Sequence, residues 1–212
     1  MTPAQIDTFF ATLQAANPQP QSELEYTSVF ELLTAVLLSA QATDVSVNKA
    51  TRQLFPAANT PRQMLDLGLE RLEGYIKTIG LYHAKARHLM QTCAILLERH
   101  GGEVPRTREE LEALPGVGRK TANVVLNVAF GEPTMAVDTH ILRVGNRTGL
   151  APGKTPYEVE MKLLQRVPAR YMEHAHHWLI LLGRYVCVAR QPRCWQCRVA
   201  NCCGFAPKTL AP

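Results

Sequence analysis

The sequence predicts an all-α fold, on three observations. Helix-start signals recur along the chain, apolar residues follow them with helical spacing, and no segment sustains the polar–apolar alternation that marks a strand. Hydrophobic residues make up 46% of the 212 positions and charged residues 19%, as in ordinary globular proteins, which argues against extensive disorder. We therefore expect one large helical domain or two small ones.

The helix starts repeat one device. A threonine accepts early amide hydrogens as the N-cap, a proline takes the first helical position, and a Gln or Glu reaches back to the cap. The device occurs in Thr2-Pro3-Ala4-Gln5, Thr60-Pro61-Arg62-Gln63 and Thr155-Pro156-Tyr157-Glu158, and Ser28 to Glu31 and Thr107 to Glu110 have its spacing without the proline. A long apolar-periodic run ends at Gly101-Gly102, a pair typical of a helix C-terminus.

The basic residues are unevenly placed. No acidic residue follows Glu173, whereas five basic residues do: Arg184, Arg190, Arg193, Arg198 and Lys208. The net charge of +5 therefore belongs to the C-terminal segment. Such a segment suits a polyanion, because Lys and Arg that neutralise phosphates release condensed counterions. On charge alone, a solubilising tail is an equal alternative.

The cysteines indicate a metal site. The first ten residues lack the pattern of a signal peptide, and no apolar run approaches the roughly 20 residues that cross a bilayer, so we expect a cytoplasmic protein with no membrane contact. Structural disulfides are rare in that compartment. Five of the six cysteines nevertheless fall within the last 26 residues, and clustered thiols under reducing conditions favour metal binding.

A glycine-rich turn between two short helical patterns predicts a helix–hairpin–helix. The pattern is Leu111-x-x-Leu114-x-Gly116-x-Gly118-x-x-x-Ala122-x-x-x-Leu126. The glycines permit a turn with positive φ, and a helix begins directly after them. We expect the amides of Gly116, Val117 and Gly118 to bind a DNA phosphate without reading base sequence. The alternative is an ordinary corner between two helices.

Two residues are candidates for catalysis. Lys120 falls in the first turn of the second hairpin helix, where the helix dipole disfavours a cation and so favours the neutral, nucleophilic amine. Asp138, in Ala136-Val137-Asp138-Thr139-His140, would place a carboxylate opposite it to stabilise positive charge on a sugar ring or to move protons. The simpler roles are a phosphate-contacting or solvated lysine and an N-cap aspartate. We interpret His140 as a packing or surface residue.

Four cysteines have the spacing of one metal centre, Cys187-x6-Cys194-x2-Cys197-x5-Cys203. Four thiolates within 17 residues can surround one compact site, and the spacing permits either zinc or a [4Fe–4S] cluster. Cys202 is a rival for the fourth ligand position. Cys93, on the apolar face of a predicted helix, is expected to be an inert core residue.

Together these features resemble the endonuclease III family of DNA glycosylases. The matching stretches are Leu-Leu-Ser-Ala-Gln-Ala-Thr-Asp at 37–44, Leu-Pro-Gly-Val-Gly-Arg-Lys-Thr-Ala at 114–122, Val-Asp-Thr-His at 137–140 and the cysteine array. The resemblance extends from Met1 to Cys203. It implies a two-lobed all-α helix–hairpin–helix fold with a C-terminal iron–sulfur cluster loop. A helical barrel of residues 22–132 carries the hairpin, residues 1–21 plus 133–212 form the cluster domain, and DNA lies in the groove between them.

The resemblance also implies roles for single residues. Lys120 would attack C1′ of the sugar and expel the base, and the Schiff base so formed would allow β-elimination, which cuts the strand on the 3′ side. Asp138 would be the catalytic carboxylate. The target nucleotide must leave the base stack, and Gln41 and Leu81 occupy the positions that fill the vacancy. Without the resemblance, Gln41 would be read as a glutamine at a helix end and Leu81 as a loop leucine in packing.

The resemblance further implies a cofactor and a partner. Cys187, Cys194, Cys197 and Cys203 would hold a [4Fe–4S] cluster, with Cys203 favoured over Cys202 by the family's spacing. The partner would be double-stranded DNA with a damaged base, such as an oxidised pyrimidine, or an abasic site. Arg190 and Arg193 would contact its backbone. We expect a monomer that acts in the bacterial cytoplasm, at the nucleoid.

Three other functions compete with this one. A monofunctional adenine glycosylase of mismatch repair would lack the nucleophilic lysine, so Lys120 argues against it. A DNA-binding module with a structural zinc and no catalysis would share the hairpin and the cysteines. An electron carrier would use the cysteines but would leave the hairpin without a purpose.

Overall fold

The structure, a computed structural model, describes residues 1–211 and contains eleven α-helices in that range. They are α1 (Pro3–Ala16), α2 (Val29–Leu38), α3 (Asp44–Leu54), α4 (Pro61–Leu67), α5 (Leu69–Ile76), α6 (Tyr82–Arg99), α7 (Arg108–Glu112), α8 (Arg119–Phe130), α9 (Thr139–Thr148), α10 (Pro156–Arg166) and α11 (Met172–Leu181). A π-helical turn over Leu182–Val186 follows α11, and short 3-10 turns occupy Ala169–Tyr171, Cys194–Gln196 and Ala200–Cys202. These 211 residues contain no β-strand, which confirms the all-α prediction. None of these helices is long and apolar enough to cross a membrane.

The chain divides into two compact units. One is the continuous segment Ser22–Gly131, which contains α2 to α8. The other combines Met1–Gln21 with the chain from Glu132 onward, and so contains α1 and α9 to α11. The predicted barrel ended at residue 132, one residue after Gly131, where the continuous unit ends.

The continuous unit is built around α2. Every residue of this helix from Phe30 to Leu38 is buried, and α3, α6 and α8 pack against it. A helix that is buried on all sides needs apolar residues all around its circumference, and the sequence Val-Phe-Glu-Leu-Leu-Thr-Ala-Val-Leu-Leu supplies them. Its buried carboxylate, Glu31, accepts hydrogen bonds from the amide and the hydroxyl of Thr27, at 2.6 and 2.8 Å.

An aromatic cluster forms the core of the second unit. Phe10 stacks on Tyr171 with ring centroids 5.6 Å apart, and Trp178 lies 6.2 Å from Tyr171 in edge-on contact. The indole of Trp178 also donates a hydrogen bond of 2.8 Å to the carbonyl of Asn17. These contacts tie α1 to α11, so the first residues of the chain are integral to a core whose other members follow residue 132.

The predicted helix ends are confirmed in their chemistry. The side chains of Thr2, Ser28, Thr60, Thr107 and Thr155 each accept the amide hydrogen of the residue three positions later. The predicted return of the Gln or Glu side chain to the cap amide occurs only at Thr2. Glu31, Gln63 and Glu158 accept instead from the amide of the residue before the cap, and Glu110 accepts from the cap hydroxyl. At the other end of α6, Gly101 and Gly102 have φ values of +60° and +88° and terminate the helix.

Lys85 is an unexpected buried cation. It lies on α6, only 5% of its surface is exposed, and its Nζ has no hydrogen-bond partner among the described residues. Loss of hydration lowers the pKa of this amine below its usual value of 10.5. An amine buried without a partner loses its hydrogen bonds to water and gains none in return, which destabilises the folded state.

We predict that Lys85→Met stabilises the protein. The thioether side chain has a similar length and gives up no hydration, so the free energy of unfolding at pH 7 should rise by about 1 kcal/mol. Lys49, exposed on α3, is the matched control, and Lys49→Met should change it by less than about 0.5 kcal/mol. Denaturant unfolding of both variants measures the difference.

The same prediction has a pH dependence. The pKa of Lys85 is lower in the folded than in the unfolded chain, so the unfolded chain binds more protons between the two values and wild-type stability rises with pH across that window. The advantage of Lys85→Met should therefore shrink as the pH rises toward 10.5. An advantage that grew over this range would contradict the assignment.

Candidate active site

The hairpin turn joins α7 to α8 in the continuous unit. Gly116 has φ of +78°, which favours glycine, and Gly118 is the N-cap of α8. Both are exposed, and within residues 1–211 neither amide donates a hydrogen bond. The amide of Val117, in contrast, donates to the carbonyl of Leu114 at 3.1 Å and closes the turn. The donors available to a phosphate are therefore those of the two glycines, a narrower set than the three amides we predicted.

The hairpin turn is fixed against α6. The hydroxyl of Thr92 donates a hydrogen bond of 3.2 Å to the carbonyl of Pro115. One turn earlier on α6, the imidazole of His88 packs against Gly116 so closely that a Cβ on this glycine would lie 2.9 Å from Nδ1. Gly116 is thus required both for its positive φ and for the space that the ring occupies.

Lys120 is exposed in the first turn of α8, two residues after Gly118. No acidic residue occupies that turn. Its ammonium group is accessible from solvent, and among the described residues it makes no hydrogen bond or ion pair. The amine that the sequence predicts as a nucleophile is therefore exposed on the first helical turn after the open amides of the hairpin.

Gln41 and Leu81 share a backbone feature. They are the two non-glycine residues with positive φ in the described part of the chain, at +55° and +61°. This left-handed conformation costs an L-residue roughly 1–2 kcal/mol, so it persists only where surrounding structure enforces it. Both side chains are exposed, and Leu81 retains 62% of its surface at the start of α6. Leu81 is therefore not a packed loop residue, whereas Gln41 lies two residues after the C-cap of α2, at a helix end as its simpler role requires.

In the second unit, Asp138 is the N-cap of α9. Its Oδ1 accepts a hydrogen bond of 2.8 Å from the amide of Ile141. This is the simpler role that the sequence also permitted. The carboxylate is half-buried, and the part of the chain that the structure describes gives its other oxygen no hydrogen bond. Capping therefore orients the group and leaves one oxygen available for a substrate.

The cysteine array surrounds a small cavity in the same unit. Cys187, Cys194, Cys197 and Cys203 all line it, whereas Cys202 does not. All are free thiols. Within residues 1–211 no three His, Cys, Asp or Glu side chains are arranged tightly enough to hold a metal ion. The donor set nevertheless suits a thiolate-bound centre, because four cysteines, whose sulfur atoms are soft ligands, line the same cavity.

Two of the sulfur atoms in this cavity accept hydrogen bonds. Arg147 donates from Nη1 to Sγ of Cys187 at 3.5 Å, and the amide of Phe205 donates to Sγ of Cys203 at 3.4 Å. Burial tends to raise the pKa of Cys194, but hydrogen bonds with Thr209 and the positive charges of Lys208 and Arg147 together lower its pKa overall. Donors of this kind stabilise thiolates, the form that binds iron.

Cys93 has the opposite environment. It is completely buried in the core of the continuous unit, where desolvation raises its pKa to about 12. The thiolate is therefore inaccessible at neutral pH, as expected for an inert core cysteine.

Two arginines that the sequence did not single out fasten the cysteine segment to α9. Arg143 donates to the carbonyls of Cys187 and Gly183, at 2.9 and 2.7 Å, and contacts Nδ1 of His140 at 3.2 Å. Arg147 donates to the carbonyls of Val188 and Ala189. Their spacing of four residues on one helix was the available signal. His140 itself is half-buried and packs beside Gly183.

Arg190 and Arg193 are exposed on the segment between the first two array cysteines. Among residues 1–211 neither side chain has an acidic partner. Trp195, two residues after Arg193, also exposes 40% of its surface. The segment thus presents two unneutralised positive charges next to an accessible aromatic ring.

Comparison with known proteins assigns the chain to a family. Residues 34–169 match the HhH-GPD superfamily of base excision DNA repair proteins. The chain is 63% identical to endonuclease III of Escherichia coli strain K12 over 196 residues, which cover 92% of this chain and 93% of that protein. Its identity to endonuclease III of Treponema pallidum is 57% over 198 residues, 93% of this chain and 94% of the relative.

A solved structure agrees. It is that of a trapped endonuclease III–DNA covalent intermediate, an estranged-adenine complex, whose protein is 45% identical to this chain, with a TM-score of 0.89 over 96% of both chains. The chain therefore belongs to the endonuclease III family of the HhH-GPD superfamily, and it is a base-excision repair enzyme that combines DNA glycosylase and AP lyase activities.

Proposed function

We propose that this enzyme removes oxidised pyrimidines from double-stranded DNA, with Lys120 as the nucleophile. The observation that carries the proposal is the exposed Lys120 side chain beside the two open glycine amides of the hairpin. The trapped covalent intermediate of the related endonuclease III with DNA is consistent with an enzyme that bonds to its substrate.

In the proposed reaction, the Lys120 amine attacks C1′ of the damaged nucleotide. The glycosidic bond breaks, the base leaves with the bonding electrons, and a proton accompanies it. The resulting Schiff base makes the C2′ hydrogens acidic, and loss of one of them expels the 3′ phosphate by β-elimination. The strand is thus cut on the 3′ side of the lesion.

We assign Asp138 the charge-stabilising role. Positive charge develops on the sugar as the glycosidic bond breaks, and a fixed carboxylate stabilises it without having to reorganise. The hydrogen bond from Ile141 holds Asp138 in a single orientation, and its second oxygen remains available. Capping and catalysis are therefore compatible uses of one side chain.

Gln41 and Leu81 are proposed to occupy the space that the extruded nucleotide leaves. Their exposed side chains project from left-handed backbone, which limits the directions they can take. Extruding a paired nucleotide costs a few kcal/mol of stacking and pairing, and an inserted side chain recovers part of it. Gly116 and Gly118, together with Arg190 and Arg193, are proposed to hold the DNA backbone.

The cysteine array is proposed to hold a [4Fe–4S] cluster through Cys187, Cys194, Cys197 and Cys203. The four thiols that line the cavity, and the exclusion of Cys202 from it, support this ligand set. When bound, the cluster would cross-link the segment from 187 to 203. We further propose that the enzyme acts as a monomer in the bacterial cytoplasm, where its substrate is chromosomal DNA with damaged bases or abasic sites.

Borohydride reduces the Schiff base between enzyme and DNA and so traps the complex. Lys120→Gln should lose base release, strand cleavage and this trapped complex together, because one covalent intermediate links the three. Thermal stability and DNA affinity should stay close to wild type, since an exposed first-turn side chain contributes little packing. A duplex with a single oxidised pyrimidine is the substrate. A trapped complex in this variant would identify another amine as the nucleophile.

Asp138→Asn is the companion variant. Its amide oxygen still caps α9, so the protein should fold, but it lacks the charge that stabilises the sugar. Base release should therefore slow more than cleavage at a pre-formed abasic site, where no glycosidic bond remains to break. Equal slowing of the two steps would show that Asp138 has no specific role in base release.

Cys→Ser variants test the cluster ligands. Iron content and visible absorbance should fall in the variants at 187, 194, 197 and 203, and should persist in Cys93→Ser and Cys202→Ser, because neither of those thiols lines the cavity. Iron retained by Cys203→Ser and lost from Cys202→Ser would reverse the assignment. If the wild-type protein is colourless and contains zinc, the cysteines hold zinc and the assignment of a [4Fe–4S] cluster is wrong.

Leu81→Ala should slow base release from a paired lesion far more than cleavage at a pre-formed abasic site, where less must be extruded. Leu81 is largely exposed, so its removal should leave the thermal midpoint nearly unchanged. Single-turnover rates of the variant and the wild type, measured on the two duplexes, give the loss of rate on each substrate. Equal losses on both substrates would show that Leu81 has no part in extrusion.

A further inference from the structure

His88 is an exposed side chain in direct contact with the hairpin turn. It lies on α6, outside the segment 111–126 that carries the hairpin pattern. Its Nδ1, Cβ and Cγ would lie 2.9, 3.1 and 3.2 Å from a Cβ built on Gly116. The ring therefore fills the space that a side chain at this position would take, next to an amide that we assign to phosphate binding.

The turn beside this ring is held to α6 at a second residue. Thr92, one helical turn further along α6, holds the carbonyl of Pro115 by a hydrogen bond. The same helix thus fastens the turn at one residue and contacts the next residue with an imidazole. Within the described chain the ring of His88 makes no hydrogen bond or ion pair, so its N–H donors are unused.

We infer that His88 extends the phosphate site of the hairpin, adding a side-chain donor from α6 to the amides of Gly116 and Gly118. The inference rests on the proposed role of the hairpin in DNA binding. A neutral imidazole donates one hydrogen bond and a protonated one donates two, and phosphate oxygens accept either. Because the contact is to the backbone of DNA, it should serve damaged and undamaged duplex alike.

The test compares His88→Ala, His88→Leu and His88→Arg in equilibrium binding to an undamaged duplex and to a duplex with an abasic-site analogue. Alanine removes the donor and the packing, whereas leucine keeps an apolar contact with Gly116 and removes only the donor. Both should weaken binding about three- to tenfold on both duplexes, the usual effect of losing one hydrogen bond. Arginine should restore affinity and steepen the dependence on salt by about one unit of slope.

The control is His100→Ala. His100 is the C-cap of the same helix, twelve residues or about 18 Å further along, and its removal should leave affinity unchanged. The rate of the covalent step at saturating DNA should be unchanged in His88→Leu, since the proposed contact holds the backbone and not the reacting atoms. Wild-type affinity in His88→Leu would overturn the inference and leave the ring a packing residue.

Gly118→Val separates this inference from the proposed function on which it rests. A Cβ at Gly118 meets no atom within 4 Å, so the protein accommodates valine while the added methyl groups obstruct a phosphate. Gly118→Val should therefore weaken binding to both duplexes. If it does and His88→Leu does not, only the role of His88 fails. If Gly118→Val binds normally, the hairpin is not the anchor and the proposed site itself is wrong.

Discussion

The close approach of Gly116 to the ring of His88 determines where the hairpin turn lies relative to α6. Because Gly116 has no side chain, the turn lies directly against α6, and Thr92 holds it there. Leu81 is the N-cap of the same helix. Seven residues of α-helix, about 10 Å, separate Leu81 from His88. A helix keeps that distance far better than a loop would, so the proposed phosphate site and the proposed insertion residue Leu81 stay at a fixed separation.

The other unit follows a similar plan on α9. This helix starts at the capping carboxylate of Asp138 and, within its ten residues, carries the two arginines that fasten the cysteine segment. Any displacement of that segment acts on the helix whose first turn orients Asp138. In both units a single helix connects two features of the proposed site, so their separation does not depend on the conformation of a loop.

Features of the fold that depend on local chemistry were predictable from the sequence. Threonine and serine caps act within three residues, and the cysteine array was recognisable by its spacing. The left-handed backbone at Gln41 and Leu81 was not predictable, because neither residue prefers it and tertiary structure imposes it. The burial of Lys85 and the contact of His88 with Gly116 depend on helices far apart in sequence. Residue type alone would have placed that lysine on the surface.

The interrupted unit has a consequence for synthesis. Helix α1 is synthesised before the continuous segment, yet its aromatic partners Tyr171 and Trp178 are made more than 150 residues later. At 5–20 residues per second, Phe9 and Phe10 remain uncovered for about 10–30 s, while the continuous segment Ser22–Gly131 emerges whole and can fold in the meantime. The nascent chain therefore exposes the apolar side chains of α1 while the whole continuous unit is translated, which makes this helix prone to aggregation during synthesis.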